Sequence, residues 1–366
     1  AVAVGQNAGQ TIQGNYAVAS GYYAGKNTQG DFSVAIGRSA GQDDQGISAA
    51  ATGMYAGQTT QGDYAVASGY AAGQTSQGDN SVAVGRQSGQ TTQGTQAVAV
   101  GLNAGQVTQG ASSVAVGDSA GQTTQGGSAV AIGNLAGNDT QGSNTVATGY
   151  AAGQTSQGDN AVASGYLAGN DTQGASATAV GISAGQTTQG SSATAVGKNS
   201  GQTAQGISAT ALGVFAGQTT QGVSTVAVGN RAGNSNQGDY SVAVGKNAGI
   251  TNQGANGILI NSTGSSLNDT SVGHIRLKSS TGELSFTTAA GWNMSGNVTV
   301  AGALAKGSGS FRIDHPLKPE THDLVHSFTE SPQADLLYSG SSELVDGAAK
   351  INLDEFHGMT EGTFVA

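Results

Sequence analysis

AVAVGQNAGQTIQGNY, residues 1–16, is the phrase that decides the fold, because near-copies of it follow one another along most of the chain. In rows of sixteen, residues 1–256 make sixteen repeats without an insertion. Position 3 of every repeat is Ala, positions 5, 9 and 14 are Gly, and position 13 is Gln, beginning with Ala3, Gly5, Gly9, Gln13 and Gly14. Invariant glycines at a fixed period indicate a repeated backbone geometry rather than a low-complexity linker.

Each repeat has the pattern of one coil of a β-solenoid. Positions 1–5, such as AVAVG and SVAIG, carry the small and β-branched residues of a short strand. Gly at positions 5 and 9 can take a positive φ at a corner, and the polar segment QTTQ or NDTQ forms a second strand. We therefore predict an all-β fold, a parallel β-solenoid or β-roll whose sixteen rungs, roughly 4.8 Å apart, make a rod on the order of 75 Å long. The position-13 glutamines are expected to stack as a hydrogen-bonded ladder between rungs.

The strand AVAVG is apolar or small on both faces, whereas one narrow coil offers only one interior. Strands that are apolar on both faces are normally buried on both. The simplest cover for the outer face is another copy of the same chain in closed cyclic symmetry. The sequence therefore predicts a homo-oligomer.

Positions 4 and 6 of the repeat vary together. Position 4 is Val, Ile or Leu in eleven repeats and Ser or Thr in five, and only in those five is position 6 Tyr or Met. A spacing of two puts both side chains on one side of a strand, so we interpret the pattern as volume compensation at a shared packed site. Tandem duplication of one repeat subtype is the alternative. The five pairs are Ser20 and Tyr22, Thr52 and Met54, Ser68 and Tyr70, Thr148 and Tyr150, and Ser164 and Tyr166.

Composition narrows the function. The 366 residues include 62 Gly and no Cys, and the formal net charge is −10. Without a basic stripe, nucleic-acid binding is not expected, and without an apolar run of about 18 residues neither is membrane insertion. The chain begins at the first position of a repeat rather than at an initiating Met, which favours a processed chain or a fragment.

A change of composition marks a boundary after residue 256, since all His, Pro, Glu and Trp residues follow it. We predict a β-rich connector at 257–306, with hairpin-like strands HIRLK, ELSF and NVTV between Gly-bearing turns. Residues 307–366 are predicted to start a distal β-rich module that is incomplete. The apolar ending MTEGTFVA has no turn or charged tail, so we expect the native polypeptide to continue past Ala366.

Three patterns in the sequence resemble chemical sites, and each has a simpler interpretation. His322, Asp323 and His326 come near the H-E-x-x-H zinc motif, but LVHSF has a strand pattern that would separate the two His by roughly 13 Å. Asp314 with Glu330 or Glu355 imitates a glycosidase pair, as many pairs among the carboxylates here would. Thr rows at positions 11 and 12 suggest ice binding, but adjacent Thr should point to opposite faces, and acidic or amide residues interrupt the rows at Asp43, Asp44, Asp139, Asp171 and Asn236. We therefore expect no enzyme activity, no cofactor and no metal.

The strand phrase at 33–37, 81–85, 113–117 and 241–245 resembles the YadA-like head repeats of trimeric autotransporter adhesins. That resemblance covers residues 1–256 and implies a trimeric, left-handed parallel β-roll. The remainder resembles bacteriophage tail-fibre proteins, through GILINSTGSSLN at 257–268, GNVTVAGALAKGSGSFRIDHPL at 296–317, HDLVHSFTESPQADLLYSG at 322–340 and DEFHGMTEGTFVA at 354–366.

Together the two resemblances imply a homotrimeric fibre outside a cell or virion. The expected function is that of a structural, receptor-facing segment of a phage tail fibre, located on the virion, that attaches to the host surface. A bacterial trimeric surface adhesin is the alternative. The implied partners are the chain itself, other tail or fibre proteins, and a host cell-surface glycan or protein, with three chains raising the effective affinity.

Overall fold

A computed structural model describes residues 1–273, 275–280, 310–314, 323–327, 341–349, 351–352 and 355, with the backbone alone at 310–314 and 323–327. The chain divides into two compact units, residues 1–286 and 287–366. The first unit contains two parallel sheets, and each sixteen-residue repeat contributes one strand to each. The predicted parallel β-solenoid with one coil per repeat is therefore confirmed.

The first sheet, called here the apolar sheet, has eighteen strands, of which sixteen come from positions 2–4 of the repeats. Neighbouring strands pair in parallel at an offset of one repeat, so that Val82 lies opposite Val98 and Ala83 opposite Ala99. Its strands are Val2–Val4, Val18–Ser20, Val34–Ile36, Ala50–Thr52, Val66–Ser68, Val82–Val84, Val98–Val100, Val114–Val116, Val130–Ile132, Val146–Thr148, Val162–Ser164, Thr178–Val180, Thr194–Val196, Thr210–Leu212, Val226–Val228, Val242–Val244, Ile258–Asn261 and Ile275–Lys278.

The second sheet, called here the glutamine sheet, has sixteen very short strands that end at position 13. Their register also advances by one repeat, with Gln93 opposite Gln109. Its strands are Ile12–Gln13, Thr28–Gln29, Asp44–Gln45, Thr60–Gln61, Ser76–Gln77, Thr92–Gln93, Thr108–Gln109, Thr124–Gln125, Thr140–Gln141, Ser156–Gln157, Thr172–Gln173, Thr188–Gln189, Ala204–Gln205, Thr220–Gln221, Ser235–Gln237 and Thr251–Gln253.

The apolar sheet continues past the last repeat. Ile258–Asn261 pairs in parallel with Val242–Val244, and Ile275–Lys278 pairs in parallel with Ile258–Asn261. The strand predicted at HIRLK is therefore present and extends the solenoid sheet, while its hairpin with the following strand stays a prediction. Residues 262–274 separate the two strands, and a connection of about a dozen residues permits a parallel return where a hairpin needs a short turn. ELSF and NVTV lie outside the described residues.

The interior of each coil holds small side chains and one glutamine. Ala at position 3 and Ala or Ser at position 8 are buried in nearly every repeat, as at Ala99 and Ala104. The position-13 glutamines, called here the core glutamines, are buried from Gln29 onward and cross the interior to the opposite sheet. The Gln93 side-chain Nε2, for example, donates to the carbonyl oxygen of Val82 at 2.8 Å. A polar side chain that the sequence pattern placed on the polar strand thus forms the centre of the core.

Some core glutamines also bond to one another along the solenoid. Nε2 of Gln157 donates to Oε1 of Gln173 at 3.1 Å, and Nε2 of Gln173 donates to Oε1 of Gln189 at 3.0 Å. The other glutamine pairs with this bond are 13 with 29, 45 with 61, 141 with 157, 189 with 205, and 221 with 237. At Gln109 the buried Oε1 has no hydrogen-bond partner. The glutamine ladder therefore exists in segments.

Glycines turn the corners of each coil, as the sequence predicted. Gly117 has a φ of +133°, and a Cβ built on it would lie 2.5 Å from the carbonyl oxygen of Gly133 in the next coil. Only a residue without a side chain fits both constraints. Two further corners lie at positions 7 and 16, where residues such as Asn103 and Ser112 have φ of 54° and 57°. Asn tolerates this region better than most residues, and Asn and Ser are frequent at both positions.

We predict that replacing a core glutamine costs more stability where the ladder is complete. Gln173→Leu removes bonds to Val162 and Ala177 carbonyls and to both neighbouring glutamines. Gln109→Leu, the matched control, removes one bond, to Val98, and an oxygen that had no partner. Urea unfolding should show Gln173→Leu less stable than Gln109→Leu by about 1–3 kcal/mol, because buried groups lose their partners. Equal losses would show that the ladder contributes nothing.

A second prediction concerns the corner glycines. Gly117→Ala should destabilise the chain by more than about 2 kcal/mol, because it combines strained φ with contact against the neighbouring backbone. Gly127→Ala is the control, since its Cβ would meet only the Ala111 carbonyl oxygen at 3.7 Å. That variant should unfold within about 0.5 kcal/mol of the parent in the same urea titration. Similar midpoints for the two variants would contradict the stacking argument.

Candidate interaction surface

The outer face of the apolar sheet, called here the aliphatic face, consists of the side chains at positions 2 and 4. Position 3 points into the coil and is buried, so its two neighbours point out. At position 4, Ile36, Ile132 and Leu212 are 44%, 42% and 46% exposed. The exposed aliphatic side chains of this face are Val2, Val4, Ile36, Val66, Val84, Ile132, Val180, Leu212 and Ile260.

This face is long and continuous, and no other residue that the structure describes covers it. Its strands follow one another from Val2–Val4 to Ile258–Asn261 without an interruption in register. Monomeric soluble proteins rarely expose large contiguous apolar patches, and those that do commonly use them for binding. The geometry therefore marks the aliphatic face as an interaction surface.

The five compensating pairs lie along one edge of the aliphatic face. Ser20, Ser68, Thr148 and Ser164 are partly buried, and Thr52 is exposed. The larger partners Tyr22, Met54, Tyr70, Tyr150 and Tyr166 remain exposed in the single chain. Tyr150 and Tyr166 stack on each other, with ring centroids 5.2 Å apart and planes 13° from parallel. Shared packing of position 4 with position 6 stays a prediction, one that concerns the assembled face.

Two adjacent tyrosines at this edge share a hydrogen bond that alters their acidity. The rings of Tyr22 and Tyr23 lie 4.1 Å apart between centroids. Their side-chain hydrogen bond raises the pKa of Tyr22 and lowers the pKa of Tyr23. Lys26 lies over the Tyr23 ring, with Nζ 4.8 Å from its centroid, and its positive charge also lowers the Tyr23 pKa. Tyr22 is 40% exposed, and Tyr23 and Lys26 are half-buried, so the cluster offers polar contacts beside the aliphatic face.

The outer surface of the glutamine sheet is polar and more regular than the sequence suggested. Thr91 and Thr92 are both exposed, so the expectation that adjacent Thr occupy opposite faces is wrong, because position 11 lies at a corner before the strand begins. A second amide ladder follows position 10, where Nε2 of Gln90 donates to Oε1 of Gln74 at 2.9 Å. Similar bonds join residues 58 to 138 in one series. Gln or Asn at position 10 in fourteen repeats was the available signal.

Of the six residues considered for metal binding or glycoside cleavage, four lie in the part of the chain that the structure describes. Residues Asp323–Ser327 form a strand antiparallel to Ser310–Asp314, with Asp323 opposite Asp314 and His326 opposite Phe311. The strand predicted at LVHSF is thus present, while His322 and Glu330 lie outside the described residues, and Glu355 is exposed. In the part of the chain that the structure describes, no group of three or more His, Asp or Glu side chains could hold a metal ion. No helix among those residues has the length and apolar character needed to cross a bilayer.

Comparison of the chain with protein-family models, with curated proteins and with solved structures found no match. The likeness to adhesin head repeats and to tail fibres therefore depends on the sequence motifs alone. The aliphatic face is the dominant feature of the described geometry and the basis for a proposed function.

Proposed function

We propose that the chain is a structural, receptor-facing segment of a phage tail fibre that works as a homotrimeric rod. The observation that carries the proposal is the aliphatic face, which runs the length of the repeats and is left uncovered by the rest of the chain that the structure describes. A second copy of the same chain matches this face in length and in rung spacing. The motif resemblance to trimeric head repeats supports three chains rather than two.

The energetics favour association through this face. Fully burying a Val, Leu or Ile side chain is worth about 1.5–3 kcal/mol, so covering a half-exposed one contributes on the order of 1 kcal/mol. Nine exposed aliphatic side chains lie on the face of each chain, besides many that are partly buried. Their sum is comparable with the roughly 4–15 kcal/mol that association costs in lost freedom, and each further rung adds to it.

A rod of this kind acts by reach and by multivalency. The repeats contain no insertion, and both amide ladders join neighbouring coils, so the solenoid resists bending between rungs. Three chains held in parallel present every surface feature three times at a fixed spacing. Weak contacts with a host-surface glycan or protein then reinforce one another. Other tail or fibre proteins are the proposed partners at the ends.

The alternative is a bacterial surface adhesin of the trimeric autotransporter class. It is favoured by the SVAVG strand phrase, which occurs at 81–85, 113–117 and 241–245. We prefer the tail-fibre proposal because four separate segments after residue 256 resemble tail-fibre proteins.

We predict that the full chain is a trimer and that charge on the aliphatic face dissociates it. Light scattering coupled to size exclusion should report three times the 35.6 kDa chain mass. The triple variant Ile36→Lys, Ile132→Lys, Leu212→Lys should shift the mass to one chain, because lysine charges cannot be buried unpaired.

The matched control places lysines on the outer surface of the glutamine sheet, where the side chains are also exposed. Thr92→Lys, Thr124→Lys and Thr188→Lys together should leave the trimer mass unchanged. A monomeric parent chain, or a control variant that dissociates as readily as the face variant, would contradict the assembly proposed here.

The location of the rod gives a separate prediction. Antibodies raised against the chain should label the tail fibres of virus particles in immunogold electron micrographs of a lysate from the source. Labelling of intact bacterial surfaces, with none on particles, would replace the tail-fibre proposal by the adhesin alternative. This outcome is independent of the mass measurement, because both functions use a trimer.

A further inference from the structure

Aromatic side chains near the first repeats occupy one column of the solenoid, at position 16. Tyr16 and Phe32 stack there, with ring centroids 5.2 Å apart and planes 11° from parallel. Tyr64 follows two coils later, and the intervening residue is Ser48. Phe32 and Tyr64 are 59% and 60% exposed, although aromatic rings in folded proteins are usually covered. Within this column, Phe32 and Tyr64 are therefore two exposed rings separated by one coil that carries no ring.

The backbone holds this column in strict register. Phe32, Ser48 and Tyr64 all have left-handed φ, at 59°, 55° and 58°. Each N–H donates to the carbonyl oxygen of position 15 one coil earlier, at 2.8 Å in all three cases. The same left-handed φ recurs at position 16 of every repeat, so it belongs to the corner of the coil. The three side chains thus leave equivalent backbone positions in the same direction.

The spacing of the rungs sets the width of the gap. Parallel strands repeat at about 4.8 Å, so Phe32 and Tyr64 start roughly 9.6 Å apart. Contact between carbon atoms occurs at about 3.5–4.0 Å, so a flat ring between two aromatic faces needs only roughly 7–8 Å. A sugar ring is puckered, and its axial hydrogens hold it farther from each face, so it needs about 8–10 Å on the same contacts. The gap over Ser48 fits a sugar ring better than a flat ring.

We propose that Phe32, Ser48 and Tyr64 form a binding slot for one pyranose unit of a neutral glycan. The aromatic faces carry a negative quadrupole, and the sugar C–H groups that meet them are weakly positive. The small Ser48 side chain lies at the floor of the slot, and its hydroxyl can bond to a sugar hydroxyl. This slot is called here the position-16 slot.

Two carboxylates beside the slot specify the ligand further. Asp31 and Asp63 precede Phe32 and Tyr64, and Oδ1 of each accepts a backbone N–H one coil earlier, from Asn15 at 2.6 Å and from Ile47 at 2.8 Å. These bonds fix both carboxylates: that of Asp63 lies beside the coil of Ser48, where its second oxygen can accept a sugar hydroxyl, whereas that of Asp31 is held toward the coil before Phe32. Fixed negative charges at both ends of the slot, on a chain of net charge −10, oppose sialic acids, uronates and phosphorylated sugars.

The slot gives the proposed host-attachment function a ligand class and in that sense rests on that function, but its side chains are not those of the aliphatic face. Its side chains belong to position 16, whereas assembly depends on positions 2 and 4. Sugar binding and trimer mass are therefore separate measurements. Failure of one leaves the other standing.

The chain offers a matched control for the test. Tyr240 occupies the same repeat position, has φ 57° and is 61% exposed, but Ser224 and Asn256 are its neighbours and no aromatic ring lies two coils away. Serine occupies position 16 in seven other repeats, so Phe32→Ser, Tyr64→Ser and Tyr240→Ser are all compatible with the fold. Ser48→Tyr fills the slot and completes a continuous stack from Tyr16 to Tyr64.

Saturation-transfer NMR on the full chain, with methyl glycosides of glucose, galactose, mannose and N-acetylglucosamine, tests the slot directly. At least one neutral glycoside should receive saturation, and the methyl glycoside of sialic acid should not. Phe32→Ser or Tyr64→Ser should weaken the Kd about five- to tenfold, as expected for the loss of one aromatic contact. Ser48→Tyr should abolish binding, and Tyr240→Ser should leave it unchanged.

Three outcomes would overturn the proposal. The first is that no neutral glycoside in the panel binds at millimolar concentration. The second is that Ser48→Tyr binds as well as the parent or better, which would show adhesion to any exposed aromatic surface. The third is that p-cresol, a probe for a tyrosine side chain, binds in the slot in preference to every glycoside, which would make it a protein-docking site.

Discussion

The fold depends on the hydrogen bond that each core glutamine makes across its coil. Nε2 of Gln125 donates to the carbonyl oxygen of Val114 at 2.8 Å, and the equivalent bond recurs in every repeat. A side chain that lies across so narrow a space leaves room only for Ala at position 3 and for Ala or Ser at position 8. It also requires Gly at position 9, since a Cβ on Gly121 would lie 2.9 Å from the Gln125 Oε1. Two of the other invariant positions, 3 and 9, are thus explained by one amide.

The same amide explains why the outside of the coil is apolar. An interior of alanine and glutamine buries little aliphatic surface, so a single chain gains little from the hydrophobic effect. The larger residues Val, Ile and Leu occupy positions 2 and 4, which point away from that interior. Hydrogen bonds between coils define the solenoid, and the aliphatic face supplies the apolar surface that assembly can bury. Folding and self-association are therefore expected to be strongly coupled in this chain.

The sequence was sufficient to predict the coil because its period, its strand residues and its corner glycines are local signals. It placed strands over positions 1–5 and 10–13, where the structure has them at positions 2–4 and 12–13, and it predicted positive φ at Gly5 and Gly9. It did not show that Gln13 belongs to the core, because an amide is polar in any hydropathy pattern and only the width of the coil brings the Val18-type carbonyl within reach. The sequence also did not indicate the left-handed φ of Tyr16 and Phe32, since aromatic residues rarely adopt it. The aromatic slot over Ser48 depends on that backbone, so it could not be predicted either.

The end of the repeats shows how the core glutamine can be replaced. In the coil after residue 256, Leu259 takes the inward place of Ala243, and Leu267 bridges to Ala248; both leucines are buried. Gly254 donates to the carbonyl oxygen of Asp269 as Gly238 does to that of Gln253, so Asp269 occupies the backbone place of the glutamine. Two leucines now fill the space that two alanines and an amide fill elsewhere. In the next strand the inward register position belongs to Arg276, which is exposed. The change of composition after residue 256 is therefore a change of core chemistry within one continuous sheet. The column of buried glutamine side chains ends there, and two buried leucines follow it.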